Sequence, residues 1–543
     1  MTLDRDRSLQ RLAAEEFDVV VIGGGITGAG CALDAVSRGL RTALVERDDF
    51  ASGTSSQSSK LVHGGVRYLE QKEFGLVREA LAERQIVLRN APHLVQVLPF
   101  LIPILTKDGL IDRRIARLLG GVLWMYDLSG GVRIKRVHQR VTRDEALARV
   151  PTLRTDELAS GYLYYDARAD DARLTLAVVR TAADLGAVVV NHAPVVEITK
   201  SPSGRATGIR VTADGREIEV RARAVVNAAG VWADEVRTLD EGDRPSTMRP
   251  AKGVHITVPW ARVRNEIAMF VPNPADGRPV FVVPWGDVTY IGTTDDDYDG
   301  DLDEPQCTAD DITYLLDVVN RALVDPLTEA DVIGTWAGLR PLLAAADQAK
   351  TADLSRRHGI RVSGTGVVTI TGGKLTTYRA MASDTIDQVE QVIDGRHRRC
   401  RTKRLPLTGA RGYRAPAPDA APLDAHLAGR YGTEAPAVQA LVAADPALGE
   451  PLVPGLPYIR AEAVYAVRAE MAGSLADVLD RRTRCRMLDR AATVAAAESV
   501  ARLLAPEWGW DDATTAAAVT AYRAELARER SATEPSVPAT PTH

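Results

Sequence analysis

Cysteine is scarce in this chain: Cys31, Cys307, Cys400 and Cys485 lie far apart, with no C-x-x-C pair and no accompanying histidine cluster. Neither a disulfide framework nor a zinc site is expected, and a reducing, cytoplasmic setting fits. A basic excess is missing too. The net charge of −5 argues against a general nucleic-acid binder, which needs cations to neutralise phosphates. Nowhere do about eighteen apolar residues run together, so no segment is expected to span a membrane. Residues 1–16 mix both signs of charge and lack the apolar stretch of a signal peptide. Asp295, Asp296, Asp297, Asp299 and Asp301 are dense enough to suggest calcium, but their spacing is not that of an EF-hand. A solvated acidic loop is expected there and no metal.

What is present is a chain of 543 residues, 45 % hydrophobic and 26 % charged, long enough for two or three domains and a large buried cofactor. Its organising stretch is FDVVVIGGGITGAG, Phe17 to Gly30. The β-branched apolar run reads as a buried parallel strand. It runs into Gly23-x-Gly25-x-x-Gly28, where glycines permit a tight turn, close approach of a pyrophosphate and close helix–strand packing. Alone, such a turn occurs in ordinary α/β domains. The next strand, 41–45, ends at Glu46, where a carboxylate can accept from both ribose hydroxyls, which points to a dinucleotide.

Beyond Glu46, the stretch SGTSSQSSKLVHGGVRYLE reads either as a solvated loop or as a wrap of hydroxyl and backbone donors around a polar ligand. An amphipathic helix is expected over 73–90. Residues 97–136 combine apolar positions with Arg113, Arg114, Arg117, Arg133, Lys135 and Arg136, suiting either a helix in a lipid headgroup plane or one packed on the protein. A helix capped by Asp170 or Asp171, strands at 187–190 and 195–198, and a hairpin turning at 213–215 lead to RAVVNAAGVWADE, a second strand running into small residues that approaches the dinucleotide. Residues 249–335 read as an antiparallel sheet. In ITGGKLTTYR a strand ends at Gly372-Gly373-Lys374 and a helix begins at Leu375. Its positive end would stabilise a reduced isoalloxazine, favouring a flavin over a nicotinamide. A Pro/Ala/Gly-rich linker and an Ala-rich helical region follow, in which Arg481, Arg482 and Arg484 read as an ordinary charged helix face rather than a ligand site.

These motifs, with FVVPWGDVTYIGTTD, WAGLRPLL and RRTR, make the chain resemble the FAD-dependent, respiratory, quinone-linked glycerol-3-phosphate dehydrogenases over about residues 17–500. The resemblance implies an α/β architecture: a glutathione-reductase-like (Rossmann-type) FAD domain in segments 1–96, 161–248 and 336–404, and an antiparallel-sheet substrate domain in 97–160 and 249–335. A linker (405–424), a C-terminal helical cap domain (425–530) and a disordered tail (531–543) complete it. It implies oxidation of sn-glycerol 3-phosphate to dihydroxyacetone phosphate, hydride passing to flavin N5 and electrons to a membrane quinone, by a homodimer peripheral to the inner face of the cell membrane.

Carried over residue by residue, the resemblance gives His255 and Lys374 as catalytic, the base being either one. Arg67, Tyr68, Arg340 and Arg356 would bind substrate. FAD contacts would come from Gly23, Gly25, Ile26, Thr27, Gly28, Glu46, Arg47, Ser55, Ser58, Ser59, Leu61, Val195, Ala229, Gly230, Gly373, Leu375 and Thr376. His255 is expected to suit the proton-acceptor task with an unperturbed pKa. The rival readings are a glycerol-3-phosphate oxidase using O2, a flavoenzyme acting on an amine or amino acid, and a flavin-binding scaffold without turnover.

Overall fold

The strand Glu16–Ile22 lies in the middle of a sheet, between Arg216–Asn227 and Thr42–Val45 and parallel to both. Val19, Val20 and Val21 are fully buried, as a strand covered on both faces requires. Outside these three, Val188–Val190 and Val368–Thr371 extend the parallel core, and three antiparallel strands complete a sheet of eight described strands. The helices Ile26–Ser37, Asp171–Asp184 and Tyr378–Ile393 pack together beside it. Asp170 caps the second of them, accepting from the Arg173 backbone N–H at 3.2 Å. The computed structural model that shows this describes residues 2–65, 73–105, 113–130, 136–156, 158–273, 275, 277–343 and 358–534.

A second sheet of ten described strands is antiparallel but for one pairing. Near one edge of it, Ala251–Pro259 is flanked by Val288–Gly292 and Gly334–Arg340. Alternation along these strands divides the labour. Val254, Ile256 and Val258 face a core shared with the helix Ala309–Asn320. The opposite face carries His255, Thr257, Tyr290 and Trp336, because His255 pairs with Trp336 and Thr257 with Tyr290. Part of that face is covered by the C-terminal helices, whose Val478, Leu479 and Met487 join Tyr290 and Trp336 in one cluster.

Residues 97–105 belong to the strand Val95–Leu105, followed by the helix Arg113–Ser129. The C-terminal region is helical from Pro422–Tyr431 to Asp512–Ala532. The 405–424 segment is less of a free linker than its composition suggests: Leu407 is buried and its N–H bonds the Asn90 carbonyl at 2.8 Å. Residues 535–543 lie outside the described residues.

One expectation is overturned. Arg481, Arg482 and Arg484 are not a solvated helix face. A turn of π geometry over Asp477–Arg482, then a left-handed Arg484 with φ +66°, directs them inward. Arg482 holds Asp49 through two bonds of 2.6 and 2.9 Å, Arg481 reaches the same carboxylate at 2.7 Å, and Arg484 meets Asp170 and Asp171. These pairs are buried, so the C-terminal helices are fastened to the first domain by charges rather than by apolar packing alone. Breaking a buried pair strands the remaining charge. Arg482→Ala is therefore expected to lower the unfolding free energy of the holoenzyme by about 3–5 kcal/mol in urea titrations. Arg528→Ala, which breaks an exposed pair with Glu304, is expected to leave the transition unmoved.

Candidate functional site

At the C-terminal ends of the parallel strands lies a cavity of about 380 Å³, the place where such sheets hold ligands. One wall is the first glycine turn, Gly23, Gly25, Ile26 and Thr27. The close approach there leaves no room for a side chain at Gly28, where a Cβ would sit 1.9 Å from the Gly23 carbonyl oxygen. Glu46 closes the turn from the next strand, accepting from the Gly24 N–H at 2.5 Å and the Asp48 N–H at 2.9 Å. Burial raises its carboxyl above the ordinary range against the pull of those two donors. Ser55 Oγ accepts from the Ile26 N–H at 2.8 Å, tying the serine-rich loop to the start of the helix.

The far wall comes from the second strand–turn unit. Asn227 accepts from the Ala229 N–H at 3.2 Å and donates to the Ala233 carbonyl at 2.9 Å, shaping the turn that presents Ala229, Gly230 and Trp232. Arg47 lies over the Trp232 ring, 5.0 Å from its centroid. The Trp232 Nε1 donor is buried and meets no partner among the described residues. Gly372, Gly373, Lys374 and Leu375 close the other end, beside Pro341. A glycine turn opening a helix, a carboxylate at the second strand's end, an unmatched indole donor and a lysine at a helix start together fit an elongated dinucleotide.

Beside this cavity, the second sheet presents its polar face. Strand register sets His255, Trp336 and Arg340 on one side of it, since His255 pairs with Trp336 and Ala251 with Arg340. The His255 ring stacks on Trp336 at 4.7 Å with an interplanar angle of 4°, and its Nε2 meets Ser59 Oγ at 2.9 Å. Gly292, across the strand, makes this possible: a Cβ there would lie 2.1 Å from the imidazole. Gly338 admits the serine loop in the same way, for its Cβ would come within 2.5 Å of the Gln57 carbonyl oxygen. Arg340 is held by Asp295 at 2.8 Å and by the Thr294 carbonyl at 3.0 Å, with its side chain 21 % exposed.

The expectation of an unperturbed His255 is corrected. Burial, then the nearby charges of Lys60 and Arg340, push its pKa well below the usual value near 6.5. The imidazole is neutral across the physiological range. Its Nδ1 is buried with no hydrogen-bond partner among the described residues.

Residues 18–379 match the family described as FAD dependent oxidoreductase, and residues 400–515 match the C-terminal domain of alpha-glycerophosphate oxidase. The chain belongs to the FAD dependent oxidoreductase family. It is 44 % identical over 532 residues to glycerol-3-phosphate dehydrogenase 2 of Mycobacterium tuberculosis, covering 96 % of this chain and 90 % of that protein. The mitochondrial glycerol-3-phosphate dehydrogenase of Homo sapiens is 37 % identical over 525 residues, covering 92 % of this chain and 71 % of that one. Among solved structures, glycerol-3-phosphate dehydrogenase from Bacillus halodurans complexed with FAD superposes with a TM-score of 0.76 at 31 % identity, covering 96 % of each chain.

In this member of the FAD dependent oxidoreductases, Gly23, Gly25, Ile26, Thr27, Glu46, Arg47, Ser55, Ser58, Val195, Ala229, Gly230, Gly373, Lys374 and Leu375 line the cavity. The other residues expected to touch FAD are not among those that line the cavity. Gly28 packs behind the turn; Ser59 gives its hydroxyl to His255; Leu61 lies in a two-residue strand within the apolar core. Thr376 Oγ1 accepts from the His63 N–H at 3.1 Å, joining the serine loop to the Lys374 turn. Arg67, Tyr68 and Arg356 lie outside the described residues. Three side chains at the site, Trp232, Trp336 and Lys60, lie in singled-out stretches of sequence but have no role assigned to them there. Trp232 stands two residues past Gly230 in the second turn, which is its only local mark.

Gly28→Ala is expected to yield folded protein with little bound FAD, measured by visible flavin absorbance against protein concentration. Wild-type flavin content would show that the turn tolerates a side chain.

Proposed function

We propose that the protein oxidises the C2 hydroxyl of sn-glycerol 3-phosphate to dihydroxyacetone phosphate and delivers the electrons to a membrane quinone. The observation that carries the reading is the placement of a neutral histidine and an arginine on one sheet face, with Lys374 sharing the cavity wall with Pro341, next to Arg340. FAD, when bound, supplies the two-electron acceptor. The chain supplies the rest. Arg340 offers a guanidinium to the phosphate dianion. His255 takes the hydroxyl proton, for which a neutral ring is required. Lys374, at the start of the turn Leu375–Thr377, places positive charge where a developing alkoxide needs it. Arg67, Tyr68 and Arg356 are proposed to complete the substrate contacts.

Electron delivery to a quinone requires a membrane surface, and the helix Arg113–Ser129 is the proposed contact. No helix among the described residues is long and apolar enough to cross a membrane. This one instead leaves Trp124, Met125 and Leu128 exposed, at 56, 42 and 74 %, in a segment whose sequence adds Arg113, Arg114 and Arg117. Apolar and cationic residues together suit the headgroup plane. The proposed location is the inner face of the cell membrane, as a peripheral homodimer.

His255→Ala is expected to lower kcat by about 10²–10⁴-fold with flavin retained, assayed with glycerol 3-phosphate and a quinone analogue. Arg340→Ala is expected to raise KM for glycerol 3-phosphate by about 10–100-fold, the worth of hydrogen bonds to a charged group. Wild-type constants in both variants would contradict the assignment. In the wild-type enzyme kcat/KM should hold as pH falls past 6.5, because His255 protonates only well below it. Replacing Arg113, Arg114 and Arg117 by Glu should abolish binding to anionic lipid vesicles, and unchanged binding would remove the membrane contact from the proposal. Peroxide formation as fast as quinone-analogue reduction would favour the oxidase reading.

A further inference from the structure

Lys60 is a charged side chain with no access to water, and its backbone is left-handed at φ +56°. Its ammonium donates to the Ser56 carbonyl at 3.0 Å and reaches both oxygens of Asp171, at 3.3 and 3.4 Å. It also lies over the Trp336 ring, 4.6 Å from the centroid. That indole is the one on which His255 stacks. A cation that sheds its hydration is retained in such a place only where the surroundings repay the loss.

The surroundings are built from three parts of the fold. Asp171, at the start of a helix of the first domain, also accepts from the Ser58 N–H at 3.0 Å and the Ser58 hydroxyl at 2.7 Å. Arg484, from the C-terminal helical domain, bonds Asp171 and the Ser56 carbonyl, the latter at 3.2 Å. From the substrate sheet, Trp336 Nε1 donates to the Ser58 carbonyl at 3.3 Å and the Tyr290 hydroxyl to the Ser59 carbonyl at 2.8 Å. Ser59, held on both sides in this way, presents the hydroxyl that meets His255 Nε2.

We infer that Lys60, anchored by Asp171 and by Arg484 of the C-terminal domain, is a positioning residue for His255: its tether fixes the Ser59 hydroxyl against Nε2, and its ammonium lies over the Trp336 ring on which the imidazole stacks. The inference rests on the reading of His255 as proton acceptor. Among the described residues, the charges acting on the imidazole are Lys60 from the loop and Arg340 from the neighbouring strand. Tyr290, 6.2 Å away on the other flanking strand, has its phenol pushed far up by burial and stays neutral. Lys60 itself is pulled down to about 8, by burial first, with Asp171 opposing and Arg484 adding to the fall. It remains a cation in the range where His255 must remain neutral. The arrangement also gives the C-terminal domain a task, since Arg484 is its contribution to the site.

The test is the pH dependence of kcat/KM in Lys60→Gln and Lys60→Arg, each checked for flavin content. Removing a cation near His255 raises the pH at which the ring protonates. In Lys60→Gln the acid limb should move up by about one pH unit or more, the usual effect of one nearby charge, so kcat/KM on that limb falls about tenfold. Lys60→Arg, which keeps the charge, should restore the limb. An unmoved limb in flavin-loaded Lys60→Gln, or equal shifts in both variants, would overturn the inference. If Lys60→Gln fails to fold, Lys60→Met, which keeps the side-chain volume without the charge, is read in the same way: a raised acid limb in the flavin-loaded variant supports the inference and an unmoved one overturns it. A normal kcat in His255→Ala would instead remove the acceptor reading itself, so the two failures are distinct.

Discussion

Asp171 is a fully buried carboxylate on which the serine-rich loop and the C-terminal helices converge. It receives Lys60 and Ser58 from the serine-rich loop and Arg484 from the C-terminal helices, while its own helix packs against the helix that follows the glycine turn. Burying an unpaired charge is prohibitive, so each partner that satisfies it is held where it is. The loop from Ser52 to Lys60 consequently has little freedom. At Ser55 it grips the N-terminus of the helix below the dinucleotide cavity, at Thr54 it donates to the Leu339 carbonyl at 2.6 Å, and at Ser59 it meets His255. One anchoring carboxylate thus sets the relation between the cofactor wall and His255.

The second sheet complements that rigidity by leaving space. Gly292 and Gly338 lie on the face that carries His255 and Arg340, and side chains there would strike the imidazole or the loop. What the face lacks in bulk it gains in charge. Two cations act on a neutral imidazole, and a phosphate dianion arriving at Arg340 would offset one of them. With His255 as the proposed proton acceptor, substrate binding would then make it a better base.

Features defined by neighbours in the chain are legible in the sequence. The apolar run ending in Gly23-x-Gly25-x-x-Gly28, Glu46 at the end of the next strand, the Asp170 cap and the hairpin at 213–215 each have a local cause, and each is found where the pattern places it. The residues misread are those whose meaning is tertiary. Arg481, Arg482 and Arg484 look like surface charges because their carboxylate partners, Asp49, Asp170 and Asp171, lie some three to four hundred residues earlier. Lys60 is hidden among hydroxyl residues for the same reason, its partner being 111 residues away. Ser59 and Leu61 lie close along the chain to the cavity-lining Ser55 and Ser58, yet their side chains meet His255 and the apolar core, which spacing does not encode. The depressed pKa of His255 needs both burial and two remote cations, and no spacing along the chain encodes that sum.

The central claim is that the sheet face carrying His255 and Arg340 and the adjoining dinucleotide cavity form one site for oxidising glycerol 3-phosphate. Anaerobic mixing of the flavin-loaded protein with sn-glycerol 3-phosphate, followed by visible absorbance, tests it most directly. The account predicts loss of the oxidised-flavin band with dihydroxyacetone phosphate formed in equal amount to the flavin reduced. A band that persists in the presence of saturating substrate would contradict it.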